Sequence, residues 1–245
     1  MYTFSRIDCA QQMPGSEVDG CLRDLFSNAA IERVQPGHGI FWEEDSSEDI
    51  FLVLEGLVRL YRMLPDGRRV IVGFLFAGDY MGLSWQEERR HTAEAVSQVK
   101  LQRISKSHFY DRVARTPLQD RFAHSQPRDE MCAAQDQMML VLRRSADERV
   151  AAFLAFVAAR TGRTLDKGTE LRLAMPRIDI ADYLGLTIET VSRSISKLRD
   201  RGVISLNGPS RVRIEKPHML QQLAEGDESV LEYVMSKPIP AVVAA

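Results

Sequence analysis

Cysteine is scarce in this 245-residue chain: the three present, Cys9, Cys21 and Cys132, lie far apart and form no close CxxC pair. That argues against a disulfide framework and against a four-thiolate metal site, since both need an adequate set of thiols at defined spacing. Histidine is nearly as sparse, and the five residues His38, His91, His108, His124 and His218 are scattered, so no metal site is expected. No run of 18 or more apolar residues occurs, and no N-terminal stretch joins a positive flank to an apolar segment, which leaves the cytoplasm as the expected compartment. A paired nucleophile and base, a Gly-rich phosphate loop and a metal-spaced cluster are also missing, so an enzyme is not expected.

What is present is enough for two packed domains, with 44% hydrophobic residues over 245. The net charge of −2 is unevenly spread: residues 146–217 hold 13 Lys and Arg against 9 Asp and Glu, a balance of +4 that leaves −6 on the remainder. A basic C-terminal module on an acidic remainder is the asymmetry expected when one part of a chain approaches phosphates.

The first 20 or so residues lack periodicity and read as a loosely held arm. Cys21 to Asn28 reads as a short helix. From Ile31 to about Arg103, short apolar stretches are divided by turn residues such as Gln35-Pro36-Gly37, Leu64-Pro65-Asp66-Gly67 and Ala77-Gly78-Asp79, which predicts a small antiparallel β-barrel or sandwich. The clearest hairpin is expected between Ile50 and Phe76, with Phe51 to Leu54 as one arm and Val70 to Leu75 as the other. A helical region starts near Ser107. Beyond Pro117, the residues Met131, Gln135, Met138, Met139 and Leu142 recur at spacings of three and four, an amphipathic face suited to a helix-helix dimer interface and also to packing on the chain's own β-domain. Pro127 interrupts that segment and should kink it.

Asp147 to Ala159 is a further amphipathic helix, stopped at Gly162. Then Ile178 to Leu184 forms a short helix, with Ile180 and Leu184 inward and Asp179 and Asp182 outward. Gly185 reverses the chain, Thr187 is a suitable N-cap, and a second helix runs to Arg201. In that second helix Val191, Ile195 and Leu198 make the core stripe, while Glu189, Ser192 and Arg193 share a polar face near the N-terminus. A recognition helix presents this end to the major groove. Arg193 can donate to guanine O6 and N7, Glu189 can accept from cytosine N4, and Ser192 and Ile188 can touch thymine. Arg177, Thr187 and Thr190 are placed for phosphates. An ordinary exposed i, i+4 ion pair would use the same Glu189 and Arg193, but the context favours DNA. Val203-Ile204-Ser205, Asn207-Gly208-Pro209 and Arg211-Val212-Arg213-Ile214 follow as a hairpin, the wing of a winged helix.

The stretches Met175-Pro176-Arg177, Ile180-Ala181-Asp182-Tyr183-Leu184-Gly185-Leu186-Thr187 and Glu189-Thr190-Val191-Ser192-Arg193 resemble the cyclic AMP receptor protein/FNR superfamily, most of all its FixK-type branch. Leu54-Glu55-Gly56-Leu57-Val58 and Phe76-Ala77-Gly78-Asp79 are similar to that family's β-roll. The resemblance implies an α+β fold: an arm (1–20), a β-roll sensory-type domain (21–116), a dimerisation helix (117–145), a winged helix-turn-helix DNA-binding domain (146–217) and a tail (218–245). It also implies a homodimer that reads TTGA/TCAA palindromes through Glu189, Ser192 and Arg193, with RNA polymerase as partner, near the loop from Arg160 to Glu170 or on a β-roll surface. The family's nucleotide pocket has Gly-Glu-Leu and Arg-Ser; here Gly82-Leu83-Ser84 and, near the second place, His91-Thr92 stand instead. FNR's iron-sulfur cluster needs four cysteines, and this chain has three. The resemblance therefore implies an activator without cofactor or small-molecule effector, controlling low-oxygen respiration, denitrification or nitrogen-fixation genes, with a ligand-gated or redox-gated sensor as the alternative. The apolar C-terminus ending in Ala244-Ala245 is a candidate signal for a protease adaptor.

Overall fold

The computed structural model describes residues 23–83, 87–115 and 145–225. The N-terminal part is built from β1 (Ile31–Val34), β2 (Gly39–Phe41), β3 (Asp49–Glu55), β4 (Val58–Met63), β5 (Arg69–Leu75), β6 (Tyr80–Met81), β7 (Thr92–Ala95), β8 (Val99–Ser105) and helix α1 (Lys106–Ala114). The strands make two antiparallel four-stranded sheets, ordered β1-β8-β3-β6 and β2-β7-β4-β5. Side chains from both sheets, including Phe41, Phe51, Val53, Val58, Met81 and Leu101, meet in one cluster. A second cluster joins Ile50 and Leu52 to Leu25, Phe26 and to Phe109 and Val113 of α1. β3 is thus covered on both faces, which is why Ile50 to Val53 is a continuous apolar run instead of an alternating one.

The structure corrects the expected hairpin. β3 pairs with β8 and β6, whereas β5 pairs with β4, closing at Met63 and Arg69 around the Pro65-Asp66-Gly67 turn. The chain leaves the first sheet at Gly56, whose φ of +96° directs β4 into the second sheet; a Cβ there would lie 2.3 Å from the Gln98 carbonyl oxygen. β4 escapes an apolar scan because Val58-Arg59-Leu60-Tyr61-Arg62-Met63 is charged at two of its positions.

The C-terminal part contains α2 (Ala146–Arg160), β9 (Glu170–Arg172), α3 (Arg177–Leu184), α4 (Ile188–Asp200), β10 (Ile204–Leu206), β11 (Arg211–Ile214) and α5 (Pro217–Glu225). Ser145 and Glu148 form a capping box at the start of α2, satisfying two otherwise orphan N–H groups. Nearly every side chain from Val150 to Ala158 is buried, so α2 is the central helix of this domain. α5 packs into the same core through Leu220 and Ala224, which extends the domain to Glu225, past the boundary expected at residue 217.

The two parts share one core. Leu57, Ile71, Phe74 and Phe76 of the β-domain cluster with α2, α3 and α4, and the Phe74 ring lies 5.3 Å from Tyr183 and 6.1 Å from Phe153. Asp179, expected on the outside of its helix, has 0% of its side chain exposed and takes Arg59 and Arg69 at 2.6 Å each. A helix that appears amphipathic in isolation here buries its polar side against the β-domain, where two arginines compensate the carboxylate.

Candidate nucleic-acid interface

α3 begins after Pro176, whose fixed φ suits a helix start, and ends at Gly185 in the left-handed region at φ +62°, its N–H donating to the Ala181 carbonyl. Only Leu186 separates that reversal from Thr187, whose hydroxyl accepts from the Thr190 N–H and caps α4. Val191, Ser194, Ile195 and Leu198 are buried beneath α4. Its outer face presents Ile188, Glu189, Ser192, Arg193 and Lys197, all exposed.

The geometry of that face organises the polar groups without spending them on one another. Ser192 donates its hydroxyl to the Ile188 carbonyl at 2.8 Å, and Arg193 Nε reaches the Glu189 carbonyl at 3.4 Å. The guanidinium therefore leans along the first turn of the helix and keeps its terminal nitrogens available for an acceptor outside. The Glu189 carboxyl is held below its ordinary range chiefly by its own backbone N–H, then by the Thr187 hydroxyl, with the positive charge of Arg193 adding to both. An acceptor of fixed charge and a two-pronged donor one turn apart are the groups needed to read the two edges of a G·C pair.

Of the residues expected at phosphates, Thr187 is exposed at the N-cap, and Thr190 is half-buried with its hydroxyl 3.0 Å from that of Thr187. Arg177 is more enclosed: burial pushes its guanidinium below the usual value, and its Nη1 is buried without a hydrogen-bond partner among the described residues. The wing forms as expected and gains a third strand, in the order β10-β11-β9. Val212 and Ile214 are buried while Arg211 and Arg213 are exposed. Met131, Gln135, Met138, Met139 and Leu142 lie outside the described residues, as do the three cysteines and Ala244-Ala245.

Two features escaped the sequence. One is the ion cluster behind the reading head: Arg59 bridges Glu94 and Asp179, and Arg69 bridges Asp179 and Asp182. Asp179 and Asp182, at i and i+3 on α3, were visible as a pair, but their partners lie more than 100 residues earlier. The other is Arg89, 6% exposed, which stacks over Phe41 at 4.4 Å and Phe51 at 5.6 Å. Its Nη2 donates to the Asp49 carbonyl at 2.6 Å, while Nε and Nη1 are buried without partners among the described residues. Its guanidinium abuts Gly82, where a Cβ would come within 2.4 Å of Nη1, so the arginine at this place is Arg89, just before the expected His91-Thr92.

Among the described residues no helix is long and apolar enough to cross a membrane, and no group of three or more His, Cys, Asp or Glu is arranged to hold a metal ion. Residues 31–116 match the cyclic nucleotide-binding domain family and residues 148–223 the Crp-like helix-turn-helix domain family. The chain is 42% identical over 202 residues to the nitrogen fixation regulation protein FixK of Bradyrhizobium diazoefficiens, covering 81% of this chain and 85% of that protein. It is 36% identical over 192 residues to the transcriptional activatory protein AadR of Rhodopseudomonas palustris, covering 78% and 80%. Its fold superposes on the structure of FixK2 from Bradyrhizobium japonicum with a TM-score of 0.71 at 32% identity, over 80% of this chain and 96% of that one. By fold, by both domain matches and by these relatives, the chain belongs to the cyclic AMP receptor protein/FNR superfamily of transcription regulators, in its FixK-type branch.

Proposed function

We propose that this regulator is an activator that binds TTGA/TCAA palindromes as a homodimer without a small-molecule effector, and that it controls low-oxygen respiration, denitrification or nitrogen-fixation genes. The observation that carries this reading is the outward face of α4, where Glu189, Ser192 and Arg193 stand together, exposed and with no ion pair to another helix among the described residues. Arg193 reads guanine, Glu189 the cytosine paired with it, and Ser192 and Ile188 a neighbouring thymine. Thr187, Thr190, Arg177 and the wing arginines position the head on phosphates. In the TTGA-N6-TCAA arrangement the half-site centres lie about 10 base pairs apart, one turn of the duplex, so both recognition helices of a symmetric dimer meet the same side of the DNA. The names of the relatives, a nitrogen fixation regulator and a transcriptional activator, support the biological assignment. RNA polymerase is the partner an activator requires, and Arg163 to Thr164 and Asp166 to Lys167 offer an exposed stretch of the loop after α2. The protein without added ligand should drive transcription by RNA polymerase from a promoter carrying the palindrome, and dependence on an added effector would overturn the ligand-independent part.

Arg89 favours a second reading. Two buried guanidinium nitrogens beside Gly82, without a partner among the described residues, are suited to a phosphate-bearing or carboxylate-bearing effector, which would gate the same architecture. Against it, the guanidinium already fills its space by stacking on Phe41 and Phe51. Calorimetric titration with cyclic mononucleotides separates the two: saturable binding lost in Arg89→Gln supports the gated sensor, and the absence of heat supports the ungated activator.

A further inference from the structure

The reading head is not tethered to the β-domain by the chain alone. Asp179, with 0% of its side chain exposed, receives Arg59 Nη1 and Arg69 Nη2 at 2.6 Å each. Arg69 also grips Asp182 through Nε at 3.0 Å and Nη2 at 2.7 Å, and Arg59 is itself braced by Glu94 at 2.6 Å. Arg59 and Glu94 are cross-strand partners of β4 and β7, and Arg69 opens β5, so the cationic side of the clasp stands on a sheet. Its acidic side is one face of α3. The aromatic contacts of Phe74 with Tyr183 and Phe153 lie in the same interface, and Arg160 of α2 pairs with Asp79. α3 in turn carries α4 across the single αL residue Gly185. None of this covers Glu189, Ser192 or Arg193, which stay exposed.

We propose that Arg59 and Arg69 are positioning residues for DNA recognition: by clasping Asp179 and Asp182 they fix the direction of α4 relative to the β-domain, and so set the half-site spacing that the dimer accepts. Guanidinium-carboxylate hydrogen bonds are directional, and four of them on one face of α3 restrict rotation where apolar packing alone tolerates sliding. The cost of burying these charges is weak evidence for stability, which leaves orientation as the property they secure. A changed spacing of one base pair turns one half-site by about a tenth of a turn against the other, so a rigid head must reject it and a loosened head can follow it.

The inference rests on the palindrome reading above, and its test is arranged to fail separately. Full-length wild type, Arg69→Gln and, from the other side of the clasp, Asp182→Asn are titrated on TTGA/TCAA duplexes with spacers of five, six and seven base pairs, and on the six-base-pair duplex with its G·C pairs changed. Wild type should prefer the six-base-pair spacer by about tenfold or more, a difference of about 1.4 kcal/mol. Arg69→Gln should bring the three spacers within about threefold of one another while still rejecting the changed G·C pairs, and Asp182→Asn should narrow the preference in the same direction. Because spacers are compared within one protein, partial loss of folded material cancels. A wild-type spacing profile in Arg69→Gln overturns the inference, as does one in Asp182→Asn. A wild type indifferent to the G·C pairs would fall on the palindrome reading, not on the clasp.

Discussion

If the β-domain and the reading head share one core, removing a side chain from their boundary should uncouple their unfolding, whereas an equal loss elsewhere should not. Phe74 is the residue to remove: it is 1% exposed on β5 and touches Tyr183 of α3 and Phe153 of α2. Phe74→Ala should cost about 3–5 kcal/mol, the usual range for deleting a buried aromatic ring. For a chain of this size each kcal/mol lowers Tm by about 2–4 °C, so the transition should fall by roughly 6–20 °C. The matched control is Phe109→Ala, 0% exposed but packed against Phe26 and Tyr110 within the β-domain. Scanning calorimetry at one fixed protein concentration, needed because dimerisation makes Tm depend on concentration, should show one main transition for wild type. Phe74→Ala should split it, with the C-terminal domain melting separately, and Phe109→Ala should shift the β-domain without releasing the C-terminal one. An unsplit transition within about 2 °C of wild type for Phe74→Ala would refute the shared core.

Gly56→Ala should destabilise at least about twice as much as Gly67→Ala in the same assay. Both have positive φ and incur roughly 1–2 kcal/mol of backbone strain, but only Gly56 sets the new Cβ against fixed backbone at Gln98 and Val99, while Gly67 has open space. Arg211→Ala and Arg213→Ala should each lower the salt dependence of DNA binding by about one unit of log-log slope and weaken all sequences alike, because wing arginines at phosphates carry no sequence information. Equal slopes in wild type and variants would remove the wing from the DNA contact. Glu189 has its folded-state pKa lowered, so its charge, and any stability that charge brings, is present above the unfolded-state value and disappears only as pH falls through the depressed one. Discrimination at the cytosine should therefore hold constant from neutral pH to about pH 5. A loss already at pH 6 would assign it to another group.

The recognition half of the molecule was legible because its signals are local. Gly185, the Thr187 cap, the stripe Val191, Ile195 and Leu198, and the alternation of Arg211 to Ile214 all act within a few residues, and each is found where its pattern placed it. The pairing of the β-domain was not legible to the same degree. β3 is covered on both faces, so its unbroken apolar run points on paper to the next such run, Val70 to Leu75, because β4 between them hides its strand character behind Arg59 and Arg62, whose charges are satisfied by Glu94, Asp179 and Glu43. Asp179 was misplaced for the same reason. A carboxylate on a short amphipathic helix belongs outside unless cations from elsewhere reach it, and Arg59 and Arg69 come from strands 110 to 120 residues away in the chain. Arg89 was overlooked because an arginine stacked on two phenylalanines has no sequence spacing that announces it.

The central claim is that the α4 face reads G·C pairs through Arg193, and a titration of wild type and Arg193→Ala on the TTGA-N6-TCAA duplex and on its G·C-changed counterpart tests it most directly. Without added ligand, wild type should bind the first duplex more tightly by about 1–3 kcal/mol for each altered contact, and Arg193→Ala should lose most of that difference while keeping its non-specific affinity. Equal discrimination in wild type and Arg193→Ala would contradict the claim.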